Sequence, residues 1–141
     1  ALKCLGLYTN YTYTYNKVSK SYVGNKDEKI LPGSPKNMLN ASLSFEHKGF
    51  NARISYNFTS SFQDDEEYQS DARLRRYYDS TQYLDFNAGY TFGKNYKLTI
   101  FTEVNNILNQ PLRYFIGGNK NTTTQVEYYN VKFNFGLKFN L

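Results

Sequence analysis

The chain has 141 residues, enough for one ordinary domain. Lys and Arg number 17 against 12 Asp and Glu, and the resulting charge of +5 is too mild to argue for nucleic-acid binding. A single cysteine excludes a disulfide scaffold, and no stretch approaches the ~18 consecutive apolar residues of a membrane-spanning helix.

Alternation of apolar and polar residues predicts six β-strands. In chain order they cover residues 5–16, 39–46, 52–59, 84–92, 98–105 and 131–141. Successive side chains of a strand point to opposite faces, so each segment has one apolar and one polar face. The content of 15 Tyr and 11 Phe residues argues against a disordered chain, and no window favours a long amphipathic helix.

Short and long connections alternate between the predicted strands. Tight turns with a glycine are expected at residues 48–49 and 93–95, and long loops at 19–36, 63–80 and 110–129. Short turns at one end and long loops at the other are typical of an up-and-down β-barrel in a bacterial outer membrane. The Tyr- and Phe-rich faces suit lipid and its interfaces, and the Asn-, Thr- and Ser-rich faces suit an enclosed interior.

Six strands are too few to close a barrel, because the smallest bacterial barrels use eight. We therefore expect an antiparallel transmembrane segment of a larger barrel. The start of the chain, inside an alternating pattern and without an initiator Met, predicts a piece of a longer polypeptide. One alternative is a complete eight-stranded barrel, structural or adhesive, with added strands at 112–116 and 125–129 and its first and last strands paired. Another is a soluble β-sandwich binding module that buries Phe133, Phe135 and Phe139.

Five segments and the terminal strand together resemble the C-terminal barrel portion of a TonB-dependent outer-membrane receptor. They follow the family order at residues 31–37, 45–58, 84–90, 103–111 and 125–129. The resemblance implies that residues 1–141 belong to a plugged, 22-stranded barrel whose plug and TonB box lie outside this chain. Such receptors import a scarce ligand, a siderophore–iron complex or an oligosaccharide, and this piece would supply barrel wall and extracellular loops.

The resemblance also implies partners. They are the remainder of the barrel and its plug, outer-membrane lipid and lipopolysaccharide, the barrel-insertion machinery, and TonB through the absent N-terminal part. The last strand is similar to the signal read by the insertion machinery, carried here by Asn134, Gly136, Phe139 and Leu141. An unpaired edge strand at a chain end is well suited to capture by strand addition.

Basic and aromatic residues of the long loops are the candidates for ligand contact. They are Arg73, Arg75, Arg76, Tyr77, Tyr78, Arg113 and Tyr114. The arginines suit an anionic ligand, lipopolysaccharide phosphates or the acidic run at 64–67, and we favour the last two. The acidic run itself is expected to be a solvated charge run rather than a Ca²⁺ site. No catalytic constellation, metal spacing or phosphate-binding loop is evident, so neither an enzyme nor a cofactor is expected.

Overall fold

The computed structural model describes residues 2–16, 31–64, 71–93 and 97–140, and within these ranges the structure is all-β. Short 3-10 helices occupy Leu2–Cys4 and Ala72–Leu74. The strands of the described ranges are β1 (Leu5–Tyr13), β2 (Asn37–His47), β3 (Phe50–Thr59), β4 (Phe62–Gln63), β5 (Arg76–Tyr78), β6 (Thr81–Phe92), β7 (Lys97–Asn105), β8 (Leu112–Ile116), β9 (Thr123–Glu127) and β10 (Lys132–Asn140). None of the helices in these ranges has the length and apolar character needed to cross a membrane.

The six strands predicted from alternation form one antiparallel sheet, the main sheet. Its strand order is β1-β2-β3-β6-β7-β10, which confirms the predicted meander. β1 ends at Tyr13 rather than at residue 16, because its partner β2 begins at Asn37, directly opposite Tyr13. β6 begins at Thr81 rather than at residue 84, because Thr81 still pairs with Thr59 of β3.

Strand register places most apolar residues of the six strands on one face, with Phe101 of β7 among the exceptions. A continuous apolar row crosses the main sheet through Leu7, Leu43, Ile54, Phe86, Val104 and Phe133. The neighbouring row, on the opposite face, is polar and runs through Gly6, Ser44, Arg53, Asn87, Glu103 and Asn134. Since a slip of one residue in any strand would move its apolar set to the wrong face, this register is strongly specified.

Among the residues that the structure describes, no second layer packs on the apolar face of the last strand. Phe133 and Phe135 are each 75% exposed and Phe139 is 61% exposed. The β-sandwich alternative required these three rings to be buried, and it is therefore wrong. The sheet is also open: β1 and β10 lie at opposite ends of the strand order rather than paired, which contradicts the closed eight-stranded alternative.

The turn between β2 and β3 confirms one predicted hairpin. Lys48 and Gly49 both have positive φ, 46° and 83°. Two left-handed residues in a two-residue loop match the right-handed twist of the flanking strands. The turn predicted at 93–95 begins at Gly93, whose φ is 92°, and its other two residues lie outside the described ranges.

A second, smaller sheet is built from segments that the sequence predicted as long loops. Its order is β4-β5-β8-β9, and we call it the loop sheet. β8 occupies the predicted segment 112–116, whereas β9 spans Thr123–Glu127 rather than 125–129. The sequence predicts both segments as strands only for the small-barrel alternative, and neither joins the main sheet. Strands of two to five residues contain too few alternating positions to be separated from loop by pattern alone.

Candidate functional site

The loop sheet lies at one end of the main sheet. β3 leads into β4, β5 into β6, β7 into β8 and β9 into β10, all at the end opposite the tight turn at residues 48–49. Its centre is Phe115, 3% exposed, whose ring stacks on Tyr77 with centroids 5.5 Å apart and planes 9° apart. Tyr77, a candidate for ligand contact, thus packs on the core of the loop sheet. The described parts of the predicted loops at 63–80 and 110–129 thus contribute to a small sheet with a packed aromatic centre.

Arg76 joins β5 to the end of β4. Its Nη2 and Nε lie 2.7 and 3.0 Å from Oδ2 of Asp64, and the Asp64 amide donates to the Arg76 carbonyl at 3.0 Å. The guanidinium also lies over the ring of Tyr114, 4.6 Å from its centroid. The expected pairing of an arginine with the acidic run therefore occurs at Asp64, and residues 65–67 of that run lie outside the described ranges.

Arg113 is held by an acidic residue that the sequence did not single out. Its Nε donates to Oδ2 of Asp79 at 2.7 Å, and Lys120 Nζ lies 2.8 Å from the other carboxylate oxygen. The Ser80 amide donates to the same carboxylate at 2.8 Å. Burial raises the pKa of Asp79, but the hydrogen bonds from Lys120, Arg113 and Ser80 outweigh it, and the pKa lies below its ordinary value. One buried carboxylate thus holds both the start of β8, through Arg113, and the turn between β8 and β9, through Lys120.

Arg73 and Arg75 belong to the segment before β5. Arg73 makes an ion pair of 2.8 Å with Asp71, the N-cap of the second 3-10 helix, at side-chain exposures of 88% and 38%. The side-chain hydrogen bond from Arg73 is the main cause that lowers the pKa of Asp71 to about 2. The carbonyl of Arg75 accepts a 3.0 Å hydrogen bond from the amide of Gly117, which ties this segment to the end of β8.

A tyrosine cluster lies beside these ion pairs. It consists of Tyr78, Tyr83, Tyr114 and Tyr129. Tyr78 and Tyr114 meet edge to face with centroids 5.2 Å apart. Burial is the main cause that raises the pKa of Tyr78, and the neighbouring Tyr83 and Tyr114 raise it further. Two of the four, Tyr78 and Tyr114, were predicted candidates. Tyr83 lies near the start of β6, and Tyr129 lies in the connection between β9 and β10. Nothing in the sequence around either residue distinguishes it from the many other tyrosines of the chain.

Below the tyrosines, where the loop sheet meets the main sheet, lies a cavity of about 340 Å³ that we call the rim cavity. Its lining consists of Tyr83, Asp85, Asn105, Asn106, Gln110, Tyr129, Asn130 and Lys132. None of the predicted ligand-loop candidates lines it. They lie in the loop sheet and in the segment before β5.

The wall of the rim cavity is fixed by the segment at residues 106–110. The Asn106 amide donates to Asp85 Oδ1 and the Gln110 amide to Asn106 Oδ1, each at 2.8 Å. The Gln110 side chain accepts from the Gln82 amide at 3.1 Å and donates to the Pro111 carbonyl at 3.0 Å. Asn106 and Asn109 have φ values of 57° and 49°, a conformation that Asn tolerates better than most residues. These side chains therefore shape the cavity rather than face a ligand.

The terminal strand places the residues of the insertion signal at a sheet edge. Phe139 lies on the apolar face opposite Leu98, and Asn134 lies on the polar face opposite Glu103. Gly136 lies beneath the ring of Phe101, since a Cβ atom on Gly136 would be 2.4 Å from Phe101 Cζ. Leu141 lies outside the described ranges.

Comparison with known proteins adds a family. The family model described as TonB dependent receptor-like, beta-barrel matches residues 2–107, from the start of the described chain to the wall of the rim cavity. No curated protein and no solved structure matches the chain significantly. The family comprises receptors and transporters of the bacterial outer membrane rather than enzymes. With the open antiparallel sheet and its two distinct faces, the match shows that this chain belongs to the TonB-dependent receptor β-barrel family.

Proposed function

We propose that this chain supplies barrel wall and extracellular loops to a TonB-dependent receptor that imports a scarce ligand, a siderophore–iron complex or an oligosaccharide. The observation that carries the proposal is the apolar row across all six strands of the main sheet, with a polar row beside it on the other face. A sheet with these two faces fits lipid on one side and an enclosed lumen on the other. The family match supports the same placement.

The open edges of the main sheet support completion by further polypeptide. β1 and β10 each have one side without a strand partner among the described residues. An unpaired backbone group in lipid costs several kcal/mol, so a spanning sheet has to close. We infer that the remaining strands of a 22-stranded barrel, a plug and the TonB-contacting segment complete this receptor. We further infer that the insertion machinery reads β10, and that lipopolysaccharide surrounds the outer rim.

Charge pairing in the loops favours the oligosaccharide over the anionic siderophore. Arg76 is paired with Asp64, Arg73 with Asp71, and Arg113 and Lys120 share Asp79. An anionic iron complex is best bound by cations that have no carboxylate on them, because each existing pair must first be broken. The described part of the loops presents cations that already have carboxylate partners beside tyrosines, which suits an uncharged polar ligand.

Placement in the membrane is tested by labelling adjacent residues of β6. Phe86→Cys and Asn87→Cys are made singly in the full receptor with Cys4→Ser, and a water-soluble and a lipid-soluble maleimide are applied to intact outer membranes. We expect the site at 86 to react with the lipid-soluble reagent and the site at 87 with the water-soluble one. Rapid reaction of the site at 86 with the water-soluble reagent would show that the apolar face does not meet lipid.

Transport is tested in cells. Uptake of radiolabelled ferric siderophores and neutral oligosaccharides is compared between the parent strain, a strain lacking the receptor and a strain lacking TonB. We expect the same ligand to be lost in both deletion strains and restored by the intact receptor gene. Unchanged uptake of every ligand in the receptor deletion would refute the proposed function.

A further inference from the structure

Three residues on the strands that line the rim cavity, Asp85, Asn105 and Lys132, have polar side-chain atoms open to a ligand. Within the described residues, no hydrogen bond occupies Oδ2 of Asp85, the side-chain amide of Asn105 or the ammonium group of Lys132. By contrast, the side-chain amides of Asn106 and Gln110 are used in hydrogen bonds within the wall. Because that wall is already formed, a ligand would find the open groups in position.

The open groups form a lateral row on the polar face of the main sheet. Asn105 is paired with Lys132 across β7 and β10, and continuing the β6–β7 register by one residue places Asp85 beside Asn105. Strands lie about 4.8 Å apart, so Asp85 and Lys132 are about 10 Å apart, and no ion pair joins them. The row therefore offers an acceptor, an amide that both donates and accepts, and a donor, with opposite charges that balance.

Two phenol rings complete the cavity. Tyr83 and Tyr129 line it together with this row. The Glu127 carboxylate accepts the hydrogen bond of the Tyr129 hydroxyl and raises the pKa of Tyr129, so the ring stays neutral. No aliphatic side chain is among the described residues that line the cavity. A lipid or another hydrophobic ligand is therefore poorly matched by this lining.

Resting on the proposed receptor function, we propose that the rim cavity is a subsite for one end of a neutral saccharide, bound by Tyr83, Asp85, Asn105 and Lys132. Neighbouring sugar hydroxyls both donate and accept hydrogen bonds, which matches a row made of the Asp85 carboxylate, the Asn105 amide and the Lys132 ammonium group. The C–H face of a sugar ring packs on an aromatic ring, and Tyr supplies such a surface together with a hydroxyl group. The volume of about 340 Å³ lies near the lower end of the ~300–1,000 Å³ range of ligand pockets, which suits a short saccharide segment.

The test uses the full receptor in a detergent without sugar head groups, titrated calorimetrically with maltohexaose, cellohexaose, xylohexaose and mannohexaose, and separately with a ferric tris-catecholate. Asp85→Asn can keep the Oδ1 acceptor for the Asn106 amide, while it removes the charge and replaces the open Oδ2 acceptor by an NH₂ donor. We expect Asp85→Asn and Lys132→Gln each to weaken binding of the preferred hexaose about tenfold or more, as expected for loss of a charged hydrogen bond.

Two matched variants lie on the same polar face outside the cavity. Glu103→Gln, in β7, and Lys138→Gln, in β10, remove the same charges away from the rim, and we expect affinities within about twofold of the parent. Heat-dependent gel migration confirms that each variant remains a folded barrel.

The outcomes separate the subsite from the receptor function. If a hexaose binds but its affinity is unaffected by Asp85→Asn and Lys132→Gln, or affected equally by the controls, the subsite is wrong while the receptor function stands. If only the ferric catecholate binds, or if no hexaose binds, the saccharide assignment is overturned, and the uptake experiment alone then decides the receptor function.

Discussion

Asp79 is the residue whose loss should loosen the loop sheet most. Its carboxylate, 7% exposed, accepts from Arg113 Nε at 2.7 Å, from Lys120 Nζ at 2.8 Å and from the Ser80 amide at 2.8 Å. Asp79→Asn preserves shape but places an NH₂ group where one carboxylate oxygen was. Either the Arg113 or the Lys120 donor then faces another donor.

The size of the effect follows from exposure. A hydrogen bond to a charged group contributes about 1.5–3 kcal/mol, and a donor left facing a donor adds to its loss. Against this, the Arg113 and Lys120 side chains are 32% and 53% exposed, so water replaces part of what they lose. We therefore expect the free energy of opening of the β8–β9 hairpin to fall by about 2 kcal/mol, which corresponds to a roughly 30-fold larger open population.

Hydrogen exchange measures this directly. In the full receptor in micelles, amide exchange in β8 should accelerate roughly 30-fold in Asp79→Asn, on the 1.4 kcal/mol per tenfold scale. Asp71→Asn is the matched control, because it removes an exposed Asp–Arg pair of similar length, 2.8 Å, and should leave exchange unchanged. Unchanged exchange in Asp79→Asn, or equal acceleration in both variants, would refute the anchoring role of Asp79.

The lowered pKa of Asp79 also fixes a direction with pH. A carboxyl group whose pKa is lower in the folded than in the unfolded state stabilises the folded state above the unfolded pKa of about 3.9. That contribution is lost as the pH falls through the folded pKa. After correction for intrinsic exchange rates, the β8 amides should therefore be equally protected at pH 7 and pH 5. A fall in protection between these two pH values would show that a group other than Asp79 titrates there.

Three further substitutions test packing and backbone geometry, each by the urea midpoint of the folded barrel. Gly136→Ala should lower the free energy of unfolding by about 1–3 kcal/mol, because the new Cβ would lie 2.4 Å from the Phe101 ring. Gly89→Ala should cost less, since the nearest atoms there are 3.4 Å away. Equal losses in the two variants would contradict the overlap at Gly136. Gln63→Met should leave stability unchanged or raise it by up to about 1 kcal/mol, since the Gln63 amide nitrogen is buried with no hydrogen-bond partner among the described residues. A marked loss of stability would show that this nitrogen has a partner. Lys48→Asn should stabilise by about 0.5–1 kcal/mol because φ at this position is 46°, and no gain would argue against that turn geometry.

Alternation alone was enough to predict the main sheet. Its six segments are each eight or more residues long, and in strands of that length a fixed period of two leaves one choice of face. The same pattern predicted the hairpin at 48–49 and the exposed apolar side of β10. Strand ends were predicted less well, as at Tyr13 and Thr81, because an end is set by where the partner strand stops.

The arrangement of the loop sheet was decided by tertiary structure. Asp79 and Lys120 are far apart in the chain and carry no joint signal, yet the β8–β9 hairpin folds back and brings them to 2.8 Å. The sequence predicts that Arg76 meets lipopolysaccharide or the acidic run, but it does not identify the partner of Arg113; the fold pairs Arg76 with Asp64 of that run and Arg113 with Asp79. Local period determines which way a side chain of a strand points, whereas the partner that it meets depends on contacts between distant segments, which only the folded chain brings together.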